Sequence, residues 1–330
     1  NMLAQGEKWK RIPEDPIHQQ AFESYLSKYG EERIEYKKNA DTIKVKLKTF
    51  EEYIPLFDEP GKFLAIPSEE ISNKFNGSPI HLNASHIQNV IPPQKGQSVV
   101  DVLQNNINAV LGQVKESNIP SMVQLHPPDF HYAFSTEEMK ALGNARFFEV
   151  HNGHPSVYNY GDSIHPGTEL MWDRINIAFM KQGKPLLYGV ASDDSHNYHI
   201  FNSKKANPGR GWVMVNAIEL TPESLIKAMG NGDFYASTGV VLKEVCFDNN
   251  QLKISVKTVS EVNYKILFIG CTAQDNETSV LQESEGGEAT FNMNKDVLFV
   301  RAKIISDKLK ENPFQEGDYE VAWSQPVKLQ

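Results

Sequence analysis

Between residues 62 and 232, short apolar runs alternate with segments of helical periodicity. "KFLAIPSEEIS" (62–72) and "PIHLNASHI" (79–87) read as strands, with Gly77 and Ser78 turning the chain between them. Residues 98–118 predict an amphipathic helix that opens with Ser98 and Asp101 in capping-box spacing. "SMVQLHPPDF" (121–130) predicts a strand closed by Pro127-Pro128, and residues 135–143 a short helix. "RFFEVHNG" (146–153) is a strand, residues 168–183 an amphipathic helix, and "PLLYGVASDDSH" (185–196) another strand. "GWVMVNA" (211–217) comes next as a strand. The helix at 221–232 has Thr221 as N-cap, Pro222 in its first turn and Gly230 near its end. Strands alternating with helices predict parallel βα units. Upstream, Phe22, Tyr25 and Leu26 give residues 17–29 a helical spacing that Gly30 stops, and 31–61 reads as a charged, irregular surface excursion.

After residue 240 the texture changes. "VVLKEVCFDNNQLKISVKTV", "YKILFIGCTAQ", "EATFNM", "DVLFVRAKIIS" and "YEVAWSQPV" are short strand-like runs separated by turn signals, with no helical period. They predict an antiparallel β-sandwich of roughly 90 residues. The chain thus divides into an α/β unit over 1–239 and an all-β unit over 240–330.

Composition narrows the partners. The 330 residues carry a net charge of −9, and no block of Lys or Arg occurs. A nucleic-acid partner would ask for a basic stripe, so a small molecule is the expected partner. No apolar run approaches the ~20 residues that span a bilayer. Cys246 and Cys271 sit in strand-like contexts and read as small buried side chains. These features fit a soluble protein, cytoplasmic or exported.

The chemistry-bearing residues gather where the apolar runs stop. One run carries Glu69 and Glu70, one ends at His126, one carries Glu149 and His151, and one ends in Asp193, Asp194 and His196, while "PIHLNASHI" adds His81 and His86. Each alone has a structural explanation, since a strand-end histidine is usually solvated or satisfied locally. Their recurrence at strand after strand points to one shared site, because α/β barrels assemble function at strand carboxyl ends. Carboxylates neutralise cations and imidazoles add neutral nitrogen ligands suited to Zn, Mn or Fe. In an extended segment the Asp194-x-His196 pair would point to one side.

With these motifs quoted, the sequence resembles the PHP-domain (polymerase-and-histidinol-phosphatase-like) metallohydrolases, in the bacterial branch with a C-terminal β domain. "FLAIPSEEIS", "PIHLNAS", "VQLHPPDF", "FFEVHNG", "GVASDDSHNY", "PGRGWVMV" and "GDFYASTGV" match that family's later motifs in order, over roughly residues 62–240. The resemblance implies a distorted (β/α)7 barrel with two or three divalent ions at its mouth. It implies Glu70, His81, His126, Asp194 and His196 as metal ligands, Ser68 standing where the family's glycine is usual. It makes Arg210 in "PGRGW" a catalytic anion contact, and Glu69, His151, Asn152 and Asp193 supporting or substrate contacts. His86, His131, His154, His165 and His199 have no motif support. The family's first motifs, an H-x-H and a D-H, do not occur, and the opening "NMLAQGE" is similar to the stretch immediately after the family's D-H. The expectation is that the first βαβ segment is missing from this chain, through cleavage or omission, and that any signal for export went with it. The implied activity is metal-dependent hydrolysis of a phosphorylated small molecule by a metal-bridging hydroxide. Hydrolysis of a non-phosphate ester, amide or carbamate and an inert binding role are the alternatives.

Overall fold

The computed structural model describes residues 8–40, 42–126 and 130–329. The expectations placed on "NMLAQGE" and on Pro127-Pro128 fall outside the described residues.

A small unit comes first. Strands β1 (Trp9–Arg11), β2 (Tyr36–Asn39) and β3 (Thr42–Lys46) form an antiparallel sheet in the order β1-β3-β2, and helix α1 (Pro16–Tyr29) packs on it. Asp15 caps α1 by accepting the His18 N–H, and Phe22 of α1 meets Ile34 and Ile43 in a buried cluster. This corrects the irregular excursion expected over 31–61. Ile43 and Val45 alternate with Lys44 and Lys46, so a strand period is present beneath the lysines. A short helix α2 (Phe50–Tyr53), boxed by Thr49 and Glu52, leads onward.

The central layer is a five-stranded sheet in the order β4-β5-β6-β7-β8. Its strands are β4 (Ser68–Phe75), β5 (Ser78–Ser85), β6 (Met122–Leu125), β7 (Phe147–Asn152) and β8 (Tyr188–Ser192). Helices α3 (Val99–Ser117), α4 (Thr136–Lys140) and α5 (Thr168–Lys181) connect them. β6, β7 and β8 are parallel, as the alternating pattern predicts. β4–β5 and β5–β6 are antiparallel, and among the described residues this sheet does not close. The reason is local. Asn76 and Gly77 (φ 48° and 89°) reverse the chain in two residues, which makes a hairpin and leaves no room for a parallel crossover. Leu103, Ile107, Trp172 and Phe179 from α3 and α5 pack on Ile80, Leu82, Phe148 and Leu187. The Trp172 indole donates to the Leu187 carbonyl (2.7 Å), and a Cβ at Gly189 would meet that ring at 2.7 Å, so only glycine lets the helix settle there.

The remaining strands form two sheets. They are β9 (Trp212–Val215), β10 (Phe234–Ser237), β11 (Leu242–Asp248), β12 (Gln251–Val256), β13 (Tyr264–Thr272), β14 (Ser279–Glu285), β15 (Glu288–Asn292), β16 (Val297–Leu309) and β17 (Tyr319–Ser324). A six-stranded sheet runs β14-β13-β16-β17-β10-β9, and a three-stranded sheet runs β11-β12-β15. They bury Leu252, Ile254, Ile266, Phe268, Val300 and Ile304 between them. Helix α6 (Pro222–Asn231) joins β9 to β10, capped by Thr221 and ended by Gly232. A boundary at 239/240 therefore cuts a sheet, because β10 pairs with β17 across it. Cys271 is buried as expected, whereas Cys246 is exposed on the edge strand β11.

Candidate metal centre

Three side chains converge beside the carboxyl end of β6. Glu70 from β4, His81 from β5 and His126 just past β6 bring one ligand atom each to within 4.8 Å of the others. β4 and β5 run beyond β6 in their hairpin, so Glu70 and His81 lie inside strands and not at strand ends as the sequence pattern suggests. His81 Nδ1 stands 2.6 Å from Glu70 Oε1, and that hydrogen bond is the main cause holding the Glu70 carboxyl down at about 2. The carboxylate is therefore ionised across the physiological range. The His126 backbone N–H donates to the His81 carbonyl (3.3 Å), and the two rings meet edge to face at 5.5 Å.

Asp194 and His196 stand just outside this trio. Asp194 Oδ2 is 3.9 Å from His126 Nε2, and His196 Nδ1 is 3.7 Å from Asp194 Oδ1. β8 ends at Ser192 and Asp194 takes a left-handed backbone (φ 45°), so the pair is not extended as its spacing suggests. His196 Nδ1 also lies 2.7 Å from the Asp194 carbonyl. A carbonyl only accepts, so Nδ1 carries the proton and Nε2 keeps its lone pair for a cation.

Beneath the trio lies a buried polar network. The Glu149 carboxylate, 1% exposed, accepts from Gln124 Nε2 (2.6 Å), Asn152 Nδ2 (2.8 Å) and Ser192 Oγ (2.8 Å). Burial pushes the Glu149 carboxyl up, against the pull of His126 and of the Asn152 and Ser192 donors. Asn152 passes the order upward, since its Oδ1 accepts the His154 backbone N–H (2.8 Å). His154 Nδ1 accepts from the Ser156 N–H (3.1 Å), which leaves Nε2 protonated as a donor. Its ring lies 5.3 Å from that of His196, and burial lowers its pKa. Motif spacing alone sets His154 aside. The signal available was its place two residues after Asn152, at the end of β7.

Other expected contributors lie elsewhere. Glu69 points to the opposite face, where its carboxylate accepts the Ile91 N–H (2.6 Å). A β-bulge between Glu149 and His151 turns His151 away from the trio. Its ring lies on Trp323 (5.9 Å) and against Phe314, and burial pushes it down to about 3, so it is neutral. Asp193 Oδ2 accepts the Gly209 N–H (2.7 Å) and so braces the loop that carries Arg210. Arg210 departs most from expectation. It has no exposed surface, and its guanidinium donates to the carbonyls of Gly153 and Asn202 (both 2.9 Å) and to Asn312 Oδ1 (3.2 Å). A fork committed to these acceptors is a bolt between the β7 and β8 loops and the all-β unit, and is not presented to an anion. His86 donates to the Pro120 carbonyl (2.8 Å) and His165 stacks on Tyr132 (3.8 Å), both structural roles.

No family model matches the chain, and no curated protein matches it. Among solved structures, a two-domain protein from Bacteroides vulgatus containing a predicted PHP-like metal-dependent phosphoesterase matches it with 13% identity. The match covers 77% of this chain and 73% of that one at a TM-score of 0.27. At that score the likeness carries no argument, and the site stands on its own residues.

Proposed function

We propose that this chain is a metal-dependent hydrolase acting on phosphoesters, with Glu70, His81 and His126 holding a divalent ion. The observation that carries the reading is the approach of their three ligand atoms to within 4.8 Å. One ionised carboxylate and two imidazoles fit Zn, Mn or Fe, and Asp194 is placed to extend the set. A second ion would draw on Asp194 and His196. Such ions supply Lewis acidity, activating water and neutralising charge on the reacting oxygens. The protein's own groups do the rest. Glu149 and its three donors fix the carboxyl ends of β6, β7 and β8, and the neutral His154 offers its Nε2–H as a hydrogen-bond donor to charge building on a leaving oxygen. On this reading the open five-stranded sheet is part of the distorted barrel that the sequence resemblance implies.

One observation favours a second reading. With Arg210 withdrawn into the fold, the expected grip on a phosphoryl group is absent, and a non-phosphate ester, amide or carbamate fits the same ion equally well. A panel of p-nitrophenyl phosphate, p-nitrophenyl acetate and an anilide, each with Zn, Mn or Fe, separates the readings. Chelator-sensitive phosphate release blocked by vanadate supports the first. Chelator-sensitive turnover of the other substrates, indifferent to vanadate, supports the second. Activity that survives chelation contradicts both.

A further inference from the structure

A cavity of about 580 Å³ opens between the N-terminal unit and the loop after His196, within the range of small-molecule sites. Its walls are aromatic. α1 supplies Phe22, Tyr25 and Tyr29, the α2 segment supplies Tyr53 and Phe57, and Tyr198 closes the far side. Tyr25 and Tyr29 meet at 4.6 Å, Tyr29 and Phe57 at 6.4 Å, and Tyr53 and Phe57 at 6.2 Å, so these rings brace one another around the space.

The charged side chains of its lining run against the net charge of the chain, with the Glu52 carboxylate close to Lys48 and Lys46 just outside it. In a protein of net charge −9, the lining includes Arg33, Lys46 and Lys48 and, among the described residues, no carboxylate. Lys46 also reaches Glu35 outside the lining (3.0 Å). An aromatic space rimmed by cations is complementary to an aryl group bearing a negative charge.

Its place in the fold ties it to the metal centre. The Tyr198 hydroxyl donates to the Ser195 carbonyl (2.8 Å) and receives the Ser195 hydroxyl (3.3 Å), so the cavity wall is fastened to the residue between Asp194 and His196. His199 meets His18 of α1 edge to face at 5.5 Å, which fixes the N-terminal unit to the same loop.

We propose that this cavity binds a small aromatic anion and selects the organic part of the substrate. The substrate role rests on the hydrolase reading above; the binding does not. The N-terminal unit is then a specificity element held against the loop that follows Asp194 and His196.

The test is calorimetric titration of the full chain with 1-naphthyl phosphate, first with chelator and then with Zn or Mn. Binding is expected in both. Methyl phosphate, which keeps the head and lacks the rings, should bind at least about tenfold more weakly, as should 1-naphthyl phosphate to Ala21→Trp, which fills the space; tenfold is about 1.4 kcal/mol. Arg33→Gln, at an exposed position, should weaken binding about threefold or more and flatten its salt dependence. Equal affinity for naphthyl and methyl phosphate, or wild-type affinity in both variants, overturns the proposal. Binding that shows this pattern without any metal-dependent release of 1-naphthol upholds the cavity and defeats the phosphoester reading instead.

Discussion

Glu149 and His154 are the residues whose roles the geometry separates most sharply. Glu149 feels the charge of His126 and Asp194 without hydrogen-bonding to either among the described residues, and three other donors point at its buried carboxylate. In Glu149→Gln an amide must face donors that expect an acceptor, which loosens the ends of β6, β7 and β8 together. Metal affinity, read by competition with a chelating dye, should fall about 10–100-fold, as losses in the supporting shell of metal sites do. Unchanged affinity would reduce Glu149 to a packing residue. His154 should behave differently. His154→Ala should lower kcat by about 100-fold, the scale of a lost hydrogen-bond donor to developing charge, while metal content by elemental analysis stays at the wild-type level. A parallel fall in metal content would make His154 a ligand and contradict the tautomer fixed by the Ser156 N–H.

At the scale of elements, loops and bulges decide what reaches the site. Arg210 illustrates this, because its loop carries a guanidinium past the metal centre and into acceptors on Gly153, Asn202, Asn207 and Asn312. Arg210→Lys keeps the charge and loses the fork. Each acceptor left unpaired should cost about 1–3 kcal/mol, seen as a lower Tm, with phosphate affinity unchanged. A large loss of phosphate affinity at constant Tm would restore the anion role that the sequence suggests. Helices α1 and α3 to α6 and the β6–β8 strands are legible from periodicity, whereas α2 is not, and Thr221, Pro222 and Ser98 mark helix starts as expected. Direction was harder to read. Gly77 marks the turn in the sequence, but the antiparallel consequence of so short a turn places Glu70 and His81 mid-strand. The bulge after Glu149 has no sequence mark and decides that His151 faces Trp323. The hairpin of β2 and β3 hides among lysines, since charge at alternate positions resembles a solvated coil.

For the whole molecule, the α/β layer and the all-β unit are joined by charge. Arg301 of β16, 1% exposed, donates to Asp173 (2.7 and 2.8 Å) and Glu169 (2.9 Å) of α5, and Lys303 adds a contact to Glu169 (2.7 Å). Asp173→Asn should destabilise the protein by about 3–5 kcal/mol, because a buried guanidinium loses its closest charge. Burial alone would raise the Glu169 carboxyl from its usual 4.5, but the Arg301 and Lys303 charges together hold it at about 2. A depressed carboxylate contributes in full above the unfolded value and is lost as pH falls through the folded one. Denaturant stability should therefore decline between pH 4.5 and about 2, and Glu169→Gln should flatten that decline. An unchanged decline would place the acid-sensitive groups elsewhere. The central claim is that Glu70, His81 and His126 hold a divalent ion, and elemental analysis after dialysis against Zn or Mn tests it most directly. At least one ion per chain is expected, lost in His126→Ala at unchanged circular dichroism. No stoichiometric ion in the wild type, or equal occupancy in the variant, would contradict it.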